Sequence, residues 1–193
     1  LWVWQDVNEH WNYKNDDMIS VELYSNCDEI ELFLNDTSLG KKKLSDFEDH
    51  IYKWGVPFAD GKLVAKGIKD VKQITSEIIT ARKATQIQLS SEEKNINANN
   101  YDVSHIILQL TDNKGNPVKT DNKKITFTIE GEATLLGLDN GWKKSVEKFQ
   151  SISGTTHKGR TLLVIQAKDK KEQVKITSNA EGLPSQTITI NIQ

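Results

Sequence analysis

Cysteine, methionine and proline are scarce in this 193-residue chain, with one, one and three copies respectively, and each scarcity removes a class of structure. A single cysteine, Cys27, cannot close an internal disulfide or build a cysteine-based metal site. It does not settle the compartment, because a secreted bacterial protein can have no disulfides at all. No run of about 18 apolar residues occurs, so no membrane-spanning helix is expected, and the N-terminus lacks the basic-then-apolar pattern of a signal peptide. The chain opens on Leu-Trp-Val-Trp and has its only methionine at Met18. It therefore reads as a fragment or a processed product, and the targeting signals of any longer parent stay open.

Charge of either sign is not in excess: the formal net charge is -2, which gives no electrostatic case for nucleic acid or an anionic membrane. Residues 1 to 83 carry 11 basic and 15 acidic side chains, and residues 84 to 193 carry 14 and 12; so small an asymmetry names no partner. Apolar residues at helical spacing are missing as well. So are a Gly-x-Ser-x-Gly nucleophile motif, a glycine-rich phosphate loop and a His-x-x-x-His pair. The four histidines, His10, His50, His105 and His157, are far apart and read as structural or surface residues, so no metal site is assigned.

What is present is alternation with a period of two. In "ISVELYS" Ile19, Val21 and Leu23 share one face, and in "EIELFLN" Ile30, Leu32 and Leu34 do. A turn at "SNCDE" joins these strands, and "NDTSLG" closes the second with turn chemistry. "HIYKWGVPF", "GKLVAKGI" and "QITSEIIT" follow, and "ARKAT" then breaks the pattern. A second series runs "TQIQLS", "SHIILQLTD", "KKITFTIEG", "ATLLGLD", "GRTLLVIQA", "QVKITSN" and "QTITINIQ". About seven short strands with turn signals between them fit an antiparallel sandwich of immunoglobulin-like size, and the first series fits a smaller one. The expected fold is all-β, with two consecutive immunoglobulin-like antiparallel β-sandwich domains over residues 1 to 82 and 83 to 193.

Candidate sites are few. Glu22, Glu29 and Glu31 fall on the polar phase of strands, and Asp46, Glu48 and Asp49 lie in a polar loop, so these carboxylates read as a solvated face. "DNKGN" at Asp112 to Asn116 lacks the ligand spacing of a calcium loop and reads as a hairpin turn. Tyr52 and Trp54 share a strand phase and should pack inward. In "LGLDNGWKK", Asp139, Asn140 and Trp142 occupy a tight turn. An exposed indole there could stack on a pyranose, because the apolar face of a sugar suits an aromatic plane. These three are the carbohydrate-contact candidates, and they open an alternative reading of the chain as an autonomous carbohydrate-binding module, with Trp142 or the N-terminal aromatics as the stacking platform and an oligosaccharide as the partner. Trp2, Trp4, His10, Trp11 and Tyr13 crowd the N-terminus, Trp11 and Tyr13 on one face. Aromatics at a chain end need something to cover them.

Read together, "HWNY", "ISVELYSNCDEIELFLNDTSLGKK", "WGVPFADGKLVAKGI" and "IITAR" resemble the domain that follows the catalytic barrel in bacterial glycoside hydrolase family 2 enzymes of the β-galactosidase type. "DNKGNPV", "ITFTIEGEATLLGLDNG" and "GRTLLVIQA" resemble the immunoglobulin-like C-terminal domain of the same enzymes. Departures from the family pattern are Asp36 for Gly, Tyr13 for Trp, Phe58 for Tyr and Arg82 for Gly. The resemblance implies a parent that hydrolyses terminal β-linked sugars by a retaining two-carboxylate mechanism without a redox cofactor. The family's catalytic glutamates lie in the barrel upstream of the matching stretch, so no catalytic residue is carried over. The implied partner is the catalytic barrel of the same parent chain, with Trp2, Trp4, His10, Trp11 and Tyr13 at the seam. A homodimer of the fragment through that surface is the alternative arrangement. The implied parent is bacterial, periplasmic or extracellular.

Overall fold

A computed structural model of the chain describes residues 7–193. The strands gather into two compact units, Leu1–Thr80 and Ala81–Gln193. Apart from a single 3-10 turn at Leu44–Asp46, the regular structure among the described residues is β. Trp2 and Trp4 lie outside the described residues.

The first unit holds β1 (Met18–Leu23), β2 (Glu29–Leu34), β3 (Thr37–Lys43), β4 (Tyr52–Pro57), β5 (Lys62–Lys69) and β6 (Lys72–Ile79). They form a two-stranded sheet, β1-β4, and a four-stranded sheet ordered β3-β2-β5-β6. The alternation read from sequence is realised: Val21, Ile30, Leu32, Tyr52, Trp54 and Leu63 are buried in one core. The buried Tyr52 hydroxyl donates to the Cys27 carbonyl at 2.7 Å, which satisfies a polar atom that would otherwise be costly to bury. "NDTSLG" is more than the turn expected from it, since Thr37–Lys43 continues as the edge strand β3. Asn35 and Asp36 alone make the β2–β3 connection, both with positive φ, 49° and 65°. That is the two-residue hairpin geometry in which Gly is favoured and Asn or Asp tolerated. Asn35 also receives the Lys62 amide at 2.9 Å. It leaves no room for a side chain at Gly61, where a Cβ would fall 1.7 Å from the Asn35 Oδ1.

The second unit holds β7 (Gln86–Ser90), β8 (Asn95–Ile96), β9 (Val103–Thr111), β10 (Lys124–Glu130), β11 (Ala133–Asp139), β12 (Ser153–Thr155), β13 (Arg160–Ala167), β14 (Glu172–Ala180) and β15 (Gln186–Ile192). One sheet runs β12-β10-β14-β15-β8 and the other β11-β13-β9-β7. The pairing is antiparallel except where β8 joins β15 in parallel, so the chain leaves one sheet after β7 and enters the other at β8. Ile106, Leu108, Ile125, Phe127, Leu163, Ile165, Ile176 and Ile190 are fully buried between the sheets. This is an immunoglobulin-like sandwich. "DNKGN" is a turn whose centre is the buried Asp112 carboxylate. It accepts the amides of Arg82, Lys114 and Asn116, each at 2.9 Å. Burial on its own would raise the Asp112 pKa, but these amides and the Asn116 side chain hold it down at about 2.

Candidate functional site

The N-terminal candidates converge in the first unit. Trp11 is buried with 1% of its surface exposed and donates from Nε1 to the Ala59 carbonyl at 2.9 Å. Its ring lies 5.4 Å from that of Phe58 and 5.9 Å, edge-on, from that of Tyr13. His10 stands 5.0 Å from Tyr13, ring to ring, and its Nδ1 accepts the Asn12 amide at 3.2 Å. The cluster thus fastens the segment before β1 to the end of β4, and the pattern of Trp11 and Tyr13 on a common face is what the structure contains. Phe58 and Ala59 are partners that local sequence could not supply, being 47 and 48 positions from Trp11.

His10, Trp11 and Tyr13 also wall a groove of about 670 Å³, along with residues 19–23 of β1 and residues Ser76 to Ile78 of β6. Its floor is Leu32, Leu63 and Ala65, which are core residues. The groove follows from the strand count. Register places Ile78, Ser76 and Ile74 opposite Leu63, Ala65 and Gly67, on the face of β6 that points toward the core. Two strands cannot cover a face four strands wide, since each adds about 4.8 Å, and Ile74 stays 47% exposed. Carboxylates at the rim are engaged: Glu22 accepts the Tyr24 hydroxyl at 3.0 Å, an interaction that raises the Tyr24 pKa, and Glu77 pairs with Lys62 at 3.0 Å. No cluster of three metal-ligating side chains occurs among the described residues.

The second set of candidates lies at the end of β11. Asn140 is a fastener: Nδ2 donates to the Thr155 carbonyl at 2.7 Å and Oδ1 accepts the Trp142 amide at 2.9 Å. Asp139 accepts the Gly141 amide on its carboxylate and the Thr161 hydroxyl on its carbonyl. Gly141 takes a φ of 73°, which costs glycine little. These contacts present Trp142 with 47% of its surface exposed. One face of the indole stacks on His157, 21° from parallel with ring centroids 5.9 Å apart. Asp139, Asn140 and Trp142 therefore belong to one turn, in which two side chains shape the backbone and the third projects. The part played by His157, fifteen positions away in a different hairpin, carried no signal in the sequence.

Comparison with known proteins agrees with this architecture. Residues 87–189 match the model of the glycoside hydrolase family 2 C-terminal domain 5, and residues 16–75 match a domain of unknown function, DUF4982. The beta-galactosidase BoGH2A of Bacteroides ovatus is 30% identical over 186 residues, covering 95% of this chain and 22% of that protein. A solved family 2 glycosyl hydrolase of Bacteroides cellulosilyticus is 34% identical with a TM-score of 0.90, over 98% of this chain and 25% of that one. For a beta-glycosidase of Bacteroides vulgatus the values are 28% and 0.89, over 96% and 24%. The chain spans a quarter or less of the length of each of these relatives. With more than half of its residues inside the family's own C-terminal-domain model, the chain belongs to glycoside hydrolase family 2.

Proposed function

We propose that the two units are accessory domains of a retaining glycosidase, and that the first unit packs on the catalytic barrel through the His10–Tyr13 face and the groove beside it. The observation that carries this reading is the groove itself: beside the core residues Leu32 and Leu63 it is lined by the exposed side chains of Val7 and Tyr24, apolar surface of the kind that marks a docking site. The reaction served would be hydrolysis of terminal β-glycosidic bonds, by analogy with the relatives named β-galactosidase and β-glycosidase. Within the chain, Glu77 is 56% exposed and tied to Lys62. It is not the desolvated carboxylic acid that protonates a leaving oxygen.

The test is reconstitution. Added to the purified catalytic barrel of its own enzyme, the chain is expected to bind and to raise the barrel's melting temperature. Tyr24→Lys, at the exposed lip of the groove, is expected to abolish both effects while the chain keeps its own melting profile. The chain alone is expected to leave nitrophenyl β-glycosides intact. Turnover that disappears with a single Glu or Asp substitution would sink the accessory reading.

A further inference from the structure

The loop from Gly141 to Ile152 carries side chains that the fold of the second unit does not use. Trp142, Val146, Phe149 and Ile152 are exposed, yet the loop itself is tightly held. The Leu138 amide donates to the Phe149 carbonyl at 2.7 Å, and the Ser145 amide to the Trp142 carbonyl at 2.8 Å. Glu147 accepts both the amide and the hydroxyl of Thr155. An aromatic ring fixed by its own turn, with the His157 ring behind it, is a preorganised stacking surface, and preorganisation removes the ordering cost of binding.

Charge narrows the choice of ligand. Lys143 and Lys144 follow the indole directly in the turn, and Lys148 lies on the same loop. All three are exposed, and none makes an ion pair or side-chain hydrogen bond among the described residues. Of the two carboxylates near the indole, Glu147 is occupied by Thr155 and Asp139 accepts the Gly141 amide. Lys168 and Lys170 of this unit do find carboxylates, in Glu132 and Glu172, whereas Lys143 and Lys144 stand beside an exposed indole with none. We infer that the Trp142 turn is a binding site for an acidic saccharide, the indole taking the C–H face of a pyranose and Lys143 and Lys144 taking its carboxylate. An aromatic plane favours the weakly positive C–H edges of the sugar ring, while the ammonium groups add charge that a neutral sugar cannot answer. The site belongs to the second unit alone and does not depend on docking to a barrel.

Calorimetric titration of the 193-residue chain with trigalacturonic acid, with its carboxyl-reduced counterpart and with inorganic polyphosphate tests this assignment. Saturable binding of the acidic trisaccharide is expected. Trp142→Ala should weaken it about tenfold and Trp142→Phe much less. Lys143→Gln with Lys144→Gln should remove the preference over the reduced sugar, as should salt at about 1 M. A melting profile unchanged in each variant separates loss of the site from loss of the fold. Equal affinity for acidic and reduced sugars, comparable binding of polyphosphate, or no binding at all would each overturn the proposal. So would self-association of the chain lost in Trp142→Ala without sugar binding, which would make the loop an interface between copies.

Discussion

The two units solve the same packing problem with different numbers of strands. In the second unit a five-stranded sheet faces a four-stranded one, and the side chains between them are closed off from water. In the first, four strands face two. The apolar face of β6 runs out past the cover, and the groove beside β1 opens onto core leucines. The difference teaches that burial of a residue and closure of the core around it are separate properties. Leu32 and Leu163 are equally buried at 0% exposure, yet Leu32 borders the groove whereas Leu163 lies between two broad sheets.

The largest effect should come from truncating these two leucines. Leu163→Ala leaves a sealed cavity and is expected to cost about 4 kcal/mol. Leu32→Ala opens onto the groove that Leu32 borders, so the space left can join the groove, and it should cost about 2 kcal/mol, near the low end for such changes. Chemical denaturation of a Trp142→Phe background, in which the remaining tryptophans belong to the first unit, followed by tryptophan emission for that unit and by ellipticity for the whole chain, can assign each loss to its unit. Equal costs would break the contrast.

Acid should distinguish the units by a smaller margin. The native pKa of Asp112 is depressed to about 2, below the ordinary value near 3.9. Its stabilisation of the second unit is therefore full above pH about 4 and is lost as the pH falls toward 2. It amounts to something on the order of 2 kcal/mol. In the first unit the lowered carboxyl is that of Asp49, held down by the hydrogen bond from Lys53 but at the surface, where such pairs contribute little. Melting the chain between pH 5 and pH 2 should show the second unit losing stability faster over that window. In Asp112→Asn most of the excess slope should vanish, what is left coming from the surface carboxyls of Asp102 and Glu132, which hydrogen bonds also hold down.

The smallest effect concerns how the N-terminal segment is fastened. Trp11→Phe leaves the Ala59 carbonyl without its donor, whereas the Trp54 Nε1 is buried with no partner to lose. Trp11→Phe is expected to cost about 1 kcal/mol more than Trp54→Phe, read from the same denaturation curves. A larger cost at Trp54 would mean that the segment before β1 is not an integral part of the first unit.

How far the sequence exposed this arrangement depended on whether a signal was local. Alternation located β1, β2, β4, β5 and β6 and most of the second sandwich, because a half-buried strand must repeat every two residues. It did not reveal β3, whose "TSLGKKK" has one apolar side chain; charge on an edge strand guards against unwanted pairing and erases the pattern with it. Nor did it reveal β8 or β12, at two and three residues too short to have a period. The turn at Trp142 was legible from Asp139, Asn140 and Gly141, but the His157 ring behind it was not. The groove was not legible either, since it arises from strands that fail to face one another.

The switch of the chain between sheets at β8 gives the second unit a mechanical character. β8 lies near the start of that unit and β15 at its end, and they run side by side in the same direction. The pair is tied by the Asn191 and Gln193 amides to the Lys94 and Ile96 carbonyls, at 2.8 and 2.9 Å, and by the Asn191 and Asn95 side chains. Tension applied through the two ends of the unit pulls these parallel strands past each other, so the bonds are strained together and not peeled one after another. Under such a load the unit is expected to resist by shear.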